Sequence, residues 1–448
     1  MAIIICIDTN NLTMGKGLIY LTLSKQPAVK SVLRKTINYD GSERKKMNEF
    51  KNKIEPLVND GLAGQPPSKR VLQYVQSKKE NGAPVVGIYC GYAPIEIMQA
   101  MGIVPAVLCA FSKVPIESAE SVLPANLCPL IKSSYGFIQE GTCPFFTLAD
   151  AVVAETTCDG KKKMFELISE IRPMHVMDLP QIPDEKEARN NWRQMIVKLK
   201  QFLEATFRNS VTDQQIEAAI QWSNRKNRLA RQIFEYAAIS PPVISWQEIY
   251  DISWIALPAA GPDVIGLLEE SLEKLEERVR SGVSVVRPEA PRVLVTGCPI
   301  GGDATKIFNV IEEAGGVVVA PDSCTGTKVF NIDFEENTGD PIGALADRYL
   351  KIPCACMTPN TGRLNALSEM IHTFKPDVVI DFVLQACHAY NVESYRVGAH
   401  VTENHGIAFL KVETDYSDSD VGQLKTRIEA LFETLSPKAL SRPGSPEH

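Results

Sequence analysis

The stretch PVVGIYCGYAPIEIMQAM, residues 84–101, decides the fold. Its first six residues are mostly apolar and predict a short buried strand, which ends at Cys90 in a turn that contains Gly91 and Pro94. Helical spacing follows over Ile95–Met101. A strand, a turn and a helix in this order are the unit from which parallel sheets are built.

The same unit recurs in both halves of the chain, and the middle differs from it. Further short apolar strands are predicted at Ile103–Leu108, Ala149–Ala154, Arg292–Thr296, Gly316–Ala320, Pro376–Phe382 and Gly406–Val412. Between the two sets lies a long polar segment with helical spacing, in which Thr212 and Gln215 form a capping box. We therefore expect the α/β fold class, with two similar parallel-sheet (Rossmann-like) domains joined by an α-helical segment.

The domain boundaries follow from these changes of pattern. Residues 1–80 are expected to be a lead-in that is partly helical, with amphipathic spacing around Met47–Leu57. The first α/β domain, the helical insert, the second α/β domain and a disordered tail are assigned to residues 81–183, 184–285, 286–440 and 441–448.

The composition is that of a globular protein, because 44% of the residues are hydrophobic and 23% are charged. No run approaches the ~20 apolar residues that span a bilayer, so no membrane association is expected. The net charge of −7 argues against nucleic-acid binding through phosphate contacts. The start lacks the basic region of a signal peptide, so the expected location is cytoplasmic.

Six of the 11 cysteines lie where a predicted strand stops or a helix opens. They are Cys90, Cys128, Cys158, Cys298, Cys324 and Cys387. Ligands of open α/β sheets bind outside the carboxyl ends of the strands, so these sulfurs are expected at the functional edge and not in the core. Helix N-termini at that edge supply N–H groups that lower the pKa of a thiol.

The residues alone leave three interpretations of the cysteines open. Buried structural cysteines are expected inside strands or on apolar helix faces, which fits Cys6, Cys109 and one of Cys354 or Cys356. A zinc site usually shows closely spaced pairs, and only Cys354 and Cys356 are close, with the wrong spacing. Iron–sulfur clusters also take thiolates from separated loops, and six converging sulfurs would suffice for two cubanes with three each.

Three other positions are candidates for chemistry. His388, beside Cys387, is either a proton donor near a cluster or a surface histidine at a helix start. Glu96, one turn into a helix, is either a general acid or base or an N-terminal helix charge. The run Lys161–Lys163 is interpreted as a solvated helix face, with docking of an acidic partner as the alternative.

Five stretches carry a resemblance to a known family: GIYCGYAPIEIMQAMGIVPAVL (87–108), NLCPLIKSSYG (126–136), ADAVVAETTCDGKKKM (149–164), RVLVTGCPIGG (292–302) and DVVIDFVLQACHAYNVESYRV (377–397). At these residues the chain resembles the 2-hydroxyacyl-CoA dehydratase and benzoyl-CoA reductase family, over roughly residues 70–440. In that family three cysteines hold a four-iron cubane between two similar α/β domains. By motif, Cys128, Cys158 and Cys387 match those three.

The extra cysteines refine the resemblance. Cys90, Cys298 and Cys324 lie in motifs where a dehydratase subunit need not have cysteine, which is similar to the double-cubane cluster protein branch of the family. The resemblance implies a double-cubane [8Fe-9S] cluster, in which two [4Fe-4S] cubanes are bridged by sulfide and held by six cysteines. Cys354 or Cys356 could replace one ligand of the second cubane.

The resemblance also implies a reaction and its partners. The chain would be the catalytic component of an ATP-dependent two-component oxidoreductase that reduces small molecules, with low-potential electrons from a separate ATP-hydrolysing [4Fe-4S] activator protein. The absence of a GxxxxGK[ST] motif from this chain agrees with that division. A homodimer and an anaerobic cytoplasm are implied as well.

Two alternative functions stay open at this point. One is a 2-hydroxyacyl-CoA dehydratase subunit with one [4Fe-4S] cluster, which would bind an acyl-CoA and need a second, different subunit. The other is a non-catalytic iron–sulfur electron carrier, whose cluster would be reduced and reoxidised without a substrate.

Overall fold

The computed structural model of the chain describes residues 56–58 and 65–435. Within these residues, eight strands form two four-stranded sheets in which every pairing is parallel. The first sheet contains β1 (Val85–Ile88), β2 (Val104–Val107), β3 (Ala151–Glu155) and β4 (Met174–Met177). The second contains β5 (Arg292–Gly297), β6 (Val317–Asp322), β7 (Val378–Leu384) and β8 (Ala408–Thr414). The predicted α/β class is confirmed.

The two sheets repeat one topology. Their strand orders are β2-β1-β3-β4 and β6-β5-β7-β8, so each domain places its first strand beside its second and third. In the first sheet, Val86 of β1 lies opposite Pro105 of β2 and Ala151 of β3. Five strands are buried along their whole length: β1, β3, β5, β6 and β7. Such burial is typical of parallel strands that helices cover on both faces.

Helices cover both sheets and connect them. The first domain contains α1 (Pro67–Glu80), α2 (Ile95–Ala100), α3 (Ile116–Ala119), α4 (Pro129–Gln139), α5 (Pro144–Leu148) and α6 (Asp159–Ser169). The connecting segment contains α7 (Lys186–Phe207), α8 (Asp213–Glu235), α9 (Trp246–Ala256) and α10 (Gly261–Arg280). The second domain contains α11 (Lys306–Glu313), α12 (Pro341–Leu350), α13 (Thr361–Phe374), α14 (His388–Ala399) and α15 (Val421–Glu433).

Helix α8 links the two domains. Its predicted capping box is present, since Thr212 accepts the backbone N–H of Gln215 and the Gln215 side chain accepts that of Thr212. Near its start, Ile220 shares a hydrophobic cluster with the first sheet. Near its end, Phe234 shares another cluster with Leu294 and other residues of the second sheet. The helix therefore packs against both domains.

Some predictions fall outside the described residues. The amphipathic segment around Met47–Leu57 lies almost entirely outside them, and so do Cys6 and the tail 441–448. The assigned domain boundaries stay predictions. Where the chain is described, none of its helices combines the length and the apolar character needed to cross a membrane.

Candidate functional site

Each sheet has a switch point, where the chain leaves two neighbouring strands in opposite directions. These strands are β1 and β3 in the first sheet, and β5 and β7 in the second. In open α/β sheets, ligands bind in the crevice outside the carboxyl ends of such strands. Cys90 and Cys158 follow β1 and β3, while Cys298 and Cys387 follow β5 and β7. Both crevices are thus marked by cysteines at equivalent positions.

Three of the predicted ligands are helix N-caps. Cys128, Cys158 and Cys387 occupy this position in α4, α6 and α14 respectively. A hydrogen bond with Cys387 and burial raise the pKa of the Cys128 thiol, whereas the backbone N–H groups of Leu130 and Ile131 lower it. The helix starts therefore favour negative charge on sulfur at the positions where the ligands are expected.

The structure brings sulfurs from both domains into contact. The Cys387 side chain is hydrogen-bonded to Cys128 of the first domain and to Cys298 of its own domain. Cys158 is exposed and lies within electrostatic range of both Cys128 and Cys354. The structure therefore brings Cys387 together with Cys128 and Cys298, and places Cys158 in their neighbourhood.

A second group of sulfurs lines a cavity of about 100 Å³. Cys90, Cys324 and Cys354 form part of its wall, and Cys356 is hydrogen-bonded to Cys354. That hydrogen bond lowers the pKa of Cys354 to about 6, whereas burial raises the pKa of Cys324 to about 11. The Cys-Ala-Cys turn, which carries no strand or helix pattern of its own, therefore belongs to this site.

Cys109, which the sequence analysis interprets as structural, also lines the cavity. Its thiol donates a hydrogen bond to the Tyr89 carbonyl at 2.8 Å. Burial raises the pKa of Cys109, Lys161 partly opposes this rise and Glu155 adds to it. This hydrogen-bonded thiol fits a structural role at the edge of the site.

Lys161 corrects the interpretation of the Lys161–Lys163 run as a solvated helix face. Lys162 and Lys163 are exposed and pair with acidic neighbours on their own helix, as expected. Lys161 is buried, however, and its Nζ donates to the Cys90 sulfur at 2.8 Å. The first turn of α6 faces the sulfur-lined crevice, so the lysine in that turn is directed inward.

Glu96 and His388 lie in different environments. Glu96 is buried and lines the cavity, where it accepts hydrogen bonds from Ser223 Oγ at 2.9 Å and from the Tyr349 hydroxyl at 2.7 Å. His388 is exposed at the first position of α14, directly after Cys387. The geometry therefore places Glu96 inside the site and His388 at its surface.

Backbone constraints position two of the cysteines. Gly297 has a φ of +127°, and a Cβ there would lie 2.1 Å from the Phe382 carbonyl, so only glycine fits immediately before Cys298. Ala386, immediately before Cys387, has a φ of +57°, which is unfavourable for a residue with a side chain. The chain thus adopts constrained conformations next to both sulfurs.

The residues around the sulfurs fit an iron–sulfur cofactor. Tyr89, Tyr390 and Tyr416 are buried, yet their hydroxyl groups have no hydrogen-bond partner among the described residues. The ammonium group of Lys328 is likewise buried without one, although the Asp322 carboxylate lies 3.6 Å away. Electrostatic effects of nearby cysteines raise the pKa of all three tyrosines in addition to burial. These donors would find acceptors in cluster sulfides, which are stabilised by such hydrogen bonds.

A site for one metal ion is a different arrangement. Across the described ranges, no three histidine, cysteine or acidic side chains are placed to hold a single ion together. A cubane instead binds each of its cysteines through a separate iron, so its ligands stand further apart. The donor chemistry of the site, which consists of thiols with cationic and hydroxyl donors around them, matches the cluster.

The fold and the site define a class: a protein of two similar α/β domains with a thiol-lined crevice between them. A family model described as 2-hydroxyglutaryl-CoA dehydratase, D-component, matches residues 90–435. The chain belongs to this family of dehydratase and reductase subunits, which confirms the resemblance on which the sequence analysis relied, and it is an enzyme component of that family.

Two individual relatives span most of the chain, and a third spans a smaller part of it. It is 42% identical over 362 residues to the putative dehydratase subunit YjiM of Escherichia coli, covering 81% of this chain and 94% of that protein. It is 22% identical over 369 residues to the beta subunit of (R)-2-hydroxyglutaryl-CoA dehydratase of Acidaminococcus fermentans, covering 80% and 94%. With a benzoyl-CoA reductase subunit of Thauera aromatica it shares 23% over 176 residues, covering 37% and 40%.

Proposed function

We propose that this chain is the substrate-reducing component of a two-component, ATP-dependent reductase and holds a double-cubane [8Fe-9S] cluster. The observation that carries the proposal is the number of sulfurs at the switch points. In one group, Cys387 interacts with Cys128 of the first domain and with Cys298 of its own domain. A second group lines the adjoining cavity, and a single cubane held by three cysteines would not use both groups.

The ligands are assigned by combining motif and geometry. Cys128, Cys158 and Cys387 are proposed to hold the first cubane, as the family motifs imply. Cys90, Cys324 and Cys354 are proposed to hold the second, because Cys324 and Cys354 interact electrostatically and both line the cavity with Cys90. Cys298 contacts Cys387 and is proposed to support the first group, so Cys354 takes the place that the sequence left open.

The protein around the cluster performs the remaining functions. When bound, the cluster would supply low-potential electrons, which the separate ATP-hydrolysing activator protein delivers to it. Lys161 and Lys328 bring positive charge to a site rich in thiolates, which lowers the cost of burying that negative charge. The apolar walls of the cavity keep water away from the reacting molecule.

Chemical analysis of the anaerobically purified chain tests this proposal. We expect about eight irons and nine sulfides per chain, together with reduction of acetylene when the activator protein, ATP and an electron donor are present. About four irons per chain and binding of a 2-hydroxyacyl-CoA would instead identify a dehydratase subunit. Clusters that are reduced and reoxidised without turnover of any substrate would identify an electron carrier.

A further inference from the structure

The cavity that the cysteines line also contains a buried lysine that the sequence patterns do not single out. Lys226 comes from α8 and is 2% exposed. Its Nζ donates a hydrogen bond to the Ala259 carbonyl at 3.0 Å, which uses one of its three N–H bonds. Glu96 and Tyr349 line the same cavity as Lys226, and the Tyr349 hydroxyl donates a hydrogen bond to Glu96.

Lys226 differs from the other buried lysines of the described chain in what it contacts. Lys132 and Lys306 form ion pairs at 2.7 and 2.6 Å with Glu120 and Asp420. None of the ion pairs among the described residues includes Lys226, although it is 2% exposed and therefore more deeply buried than Lys132 and Lys306, which are each 7% exposed. An ammonium that faces a cavity without a paired carboxylate is expensive to bury, so a purely structural role explains its presence poorly.

Burial makes Lys226 able to release a proton near neutral pH, because it lowers the pKa of the ammonium group. Burial lowers the pKa of Lys226 to about 8, Glu96 on α2 opposes this shift and Arg348 on α12 adds to it. Arg348 itself donates to backbone carbonyl groups and lies over the rings of Phe334 and Tyr349. The remaining cations interact with cysteines. Lys161 donates to Cys90, and Lys328 acts electrostatically on Cys324 and Cys354.

We propose that Lys226 is the proton donor to a small, uncharged, unsaturated molecule that binds in this cavity. The inference rests on the proposed function, which supplies the electrons. The proposed second cubane would occupy part of this cavity of about 100 Å³, so only a small molecule fits beside it, and apolar side chains such as Ile95, Leu257 and Phe330 line the same cavity. Lys226 donates to the Ala259 carbonyl and not to a cysteine, so the substrate can lie between the electron source and the proton source.

The reaction balances for a triple bond. Acetylene takes up two electrons, which originate in the activator protein, and two protons to give ethylene. Each proton transfer breaks one N–H bond of Lys226 and forms one C–H bond, and the neutral amine then takes a proton from solvent water. Glu96 is a positioning residue in this scheme, because its carboxylate favours the protonated form of Lys226 without contacting the substrate.

The first test compares Lys226→Met with Lys132→Met, a matched change of a buried lysine outside the cavity. Both variants should retain the iron content of the wild type and should take up electrons from the activator protein at the same rate, as seen in the visible spectrum. K226M should reduce acetylene about 10²-fold more slowly, while K132M should keep the wild-type rate. Equal rates for K226M and the wild type would overturn the proposal.

Lys226→Arg separates proton donation from positive charge and replaces K226M if that variant does not fold. A guanidinium keeps the charge but does not release its proton near neutral pH, so K226R should be as slow as K226M. Recovery of activity in K226R would mean that the lysine acts through its charge alone. A wild type without any acetylene reduction would remove the proposed function and this inference together, whereas loss confined to the lysine variants supports both.

Two pH measurements give further readouts. The wild-type rate should fall as pH rises through about 8, since the ammonium is then lost. The free energy of unfolding of the wild type, relative to K226M, should rise between pH about 8 and 10.5, because the unfolded chain binds a proton there that the folded lysine has released. Identical pH dependence in the two proteins would contradict the assignment.

Discussion

The ammonium of Lys161 lies 2.8 Å from the sulfur of Cys90, so a cation from the first turn of α6 reaches the cysteine that follows β1. Burial lowers the pKa of Lys161, but the neighbouring Cys90 and Cys109 outweigh it and raise the pKa above its usual value. A buried cation needs a compensating negative charge. The pair therefore indicates that this part of the site is built around thiolate or sulfide.

Replacing Lys161 by methionine should make the bound cluster harder to reduce. Loss of a charge-assisted hydrogen bond worth about 1.5 kcal/mol in favour of the reduced state would lower a one-electron potential by about 60 mV. Redox titration followed by electron paramagnetic resonance measures the potential. Lys162→Met is the control on the same helix, since Lys162 is exposed and pairs with Asp159; equal potentials in K161M, K162M and the wild type would contradict the expectation.

The buried hydroxyl of Tyr416 predicts that a change to phenylalanine has different effects in the empty and the loaded protein. Without iron, Tyr416→Phe removes a buried hydroxyl that has no partner in the part of the chain that the structure describes, so stability against urea should rise by about 1–3 kcal/mol. With the cluster bound, the gain should vanish and the reduction potential should fall, because a hydrogen bond to sulfur is lost.

Tyr92 provides the control for Tyr416. Its hydroxyl donates to the Ile352 carbonyl at 3.0 Å, so Tyr92→Phe should destabilise both forms by about 1 kcal/mol. Urea unfolding of Y416F, Y92F and the wild type, each with and without iron, distinguishes the unpartnered hydroxyl from the hydrogen-bonded one. A gain for Y416F that persists after cluster assembly would show that no sulfide accepts this hydrogen bond.

Iron content distinguishes the proposed ligands from their neighbours. Cys354→Ser removes a proposed ligand of the second cubane and should leave about four irons per chain. Cys298→Ser removes a sulfur that contacts Cys387 without being assigned as a ligand, so close to the full iron content should remain. The reverse result would exchange the roles of Cys298 and Cys354, while full iron content in both variants would leave neither as a ligand.

Much of the fold can be predicted from the sequence because of where the strands are buried. Strands covered on both faces consist of nearly uninterrupted apolar residues, as in Val85–Ile88 and Val378–Leu384, and short runs of this kind are recognisable without a structure. The cysteines after such runs could be placed at the functional edge by topology alone. Element ends were less predictable, since the strand predicted at Ala149–Ala154 spans Ala151–Glu155 in the structure.

The parts of the site that could not be predicted depend on contacts between distant segments. Cys354 lies in a turn that has no strand or helix pattern of its own. The local sequence therefore does not predict that it lies near Cys324. Lys161 and Lys162 are adjacent lysines with opposite environments, which only the direction of α6 relative to the crevice decides. Lys226 lies on helix α8, whose polar composition resembles that of a solvent-exposed helix. The side chain of Lys226 is buried because α8 packs between the domains.

Gly297 should be the least replaceable glycine beside the site. A Cβ at this position would lie 2.1 Å from the Phe382 carbonyl and would force β5 away from β7, so Gly297→Ala should cost about 3 kcal/mol or more. Gly282→Ala is the matched control, because its φ of +65° is also positive but nothing lies within 4 Å of the added carbon. Its cost should be about 1 kcal/mol, from backbone conformation alone. Chemical denaturation measures both, and a similar cost for the two would mean that β5 shifts without strain.

Glu155 should make the protein less stable as the pH rises. It ends β3 and is fully buried, and burial raises its pKa to about 8, with Lys161 and the backbone N–H groups of Cys90 and Ala93 acting in the opposite direction. Between pH 4.5 and about 8 the folded chain therefore keeps a proton that the unfolded chain has lost. Stability should fall across this window by up to about 1.4 kcal/mol per pH unit from this group.

Glu155→Gln isolates that contribution, since the amide resembles the protonated acid at every pH. The variant should match the wild type near pH 4.5 and exceed it in stability above pH 8, as measured by urea unfolding at a series of pH values. Asp159 is an exposed residue at the start of α6, and its pKa lies below its usual value. Asp159→Asn should therefore leave the pH dependence of the free energy of unfolding above pH 4.5 unaltered. Parallel curves for E155Q and the wild type would mean that the folded protein holds Glu155 ionised, with its charge compensated by Lys161.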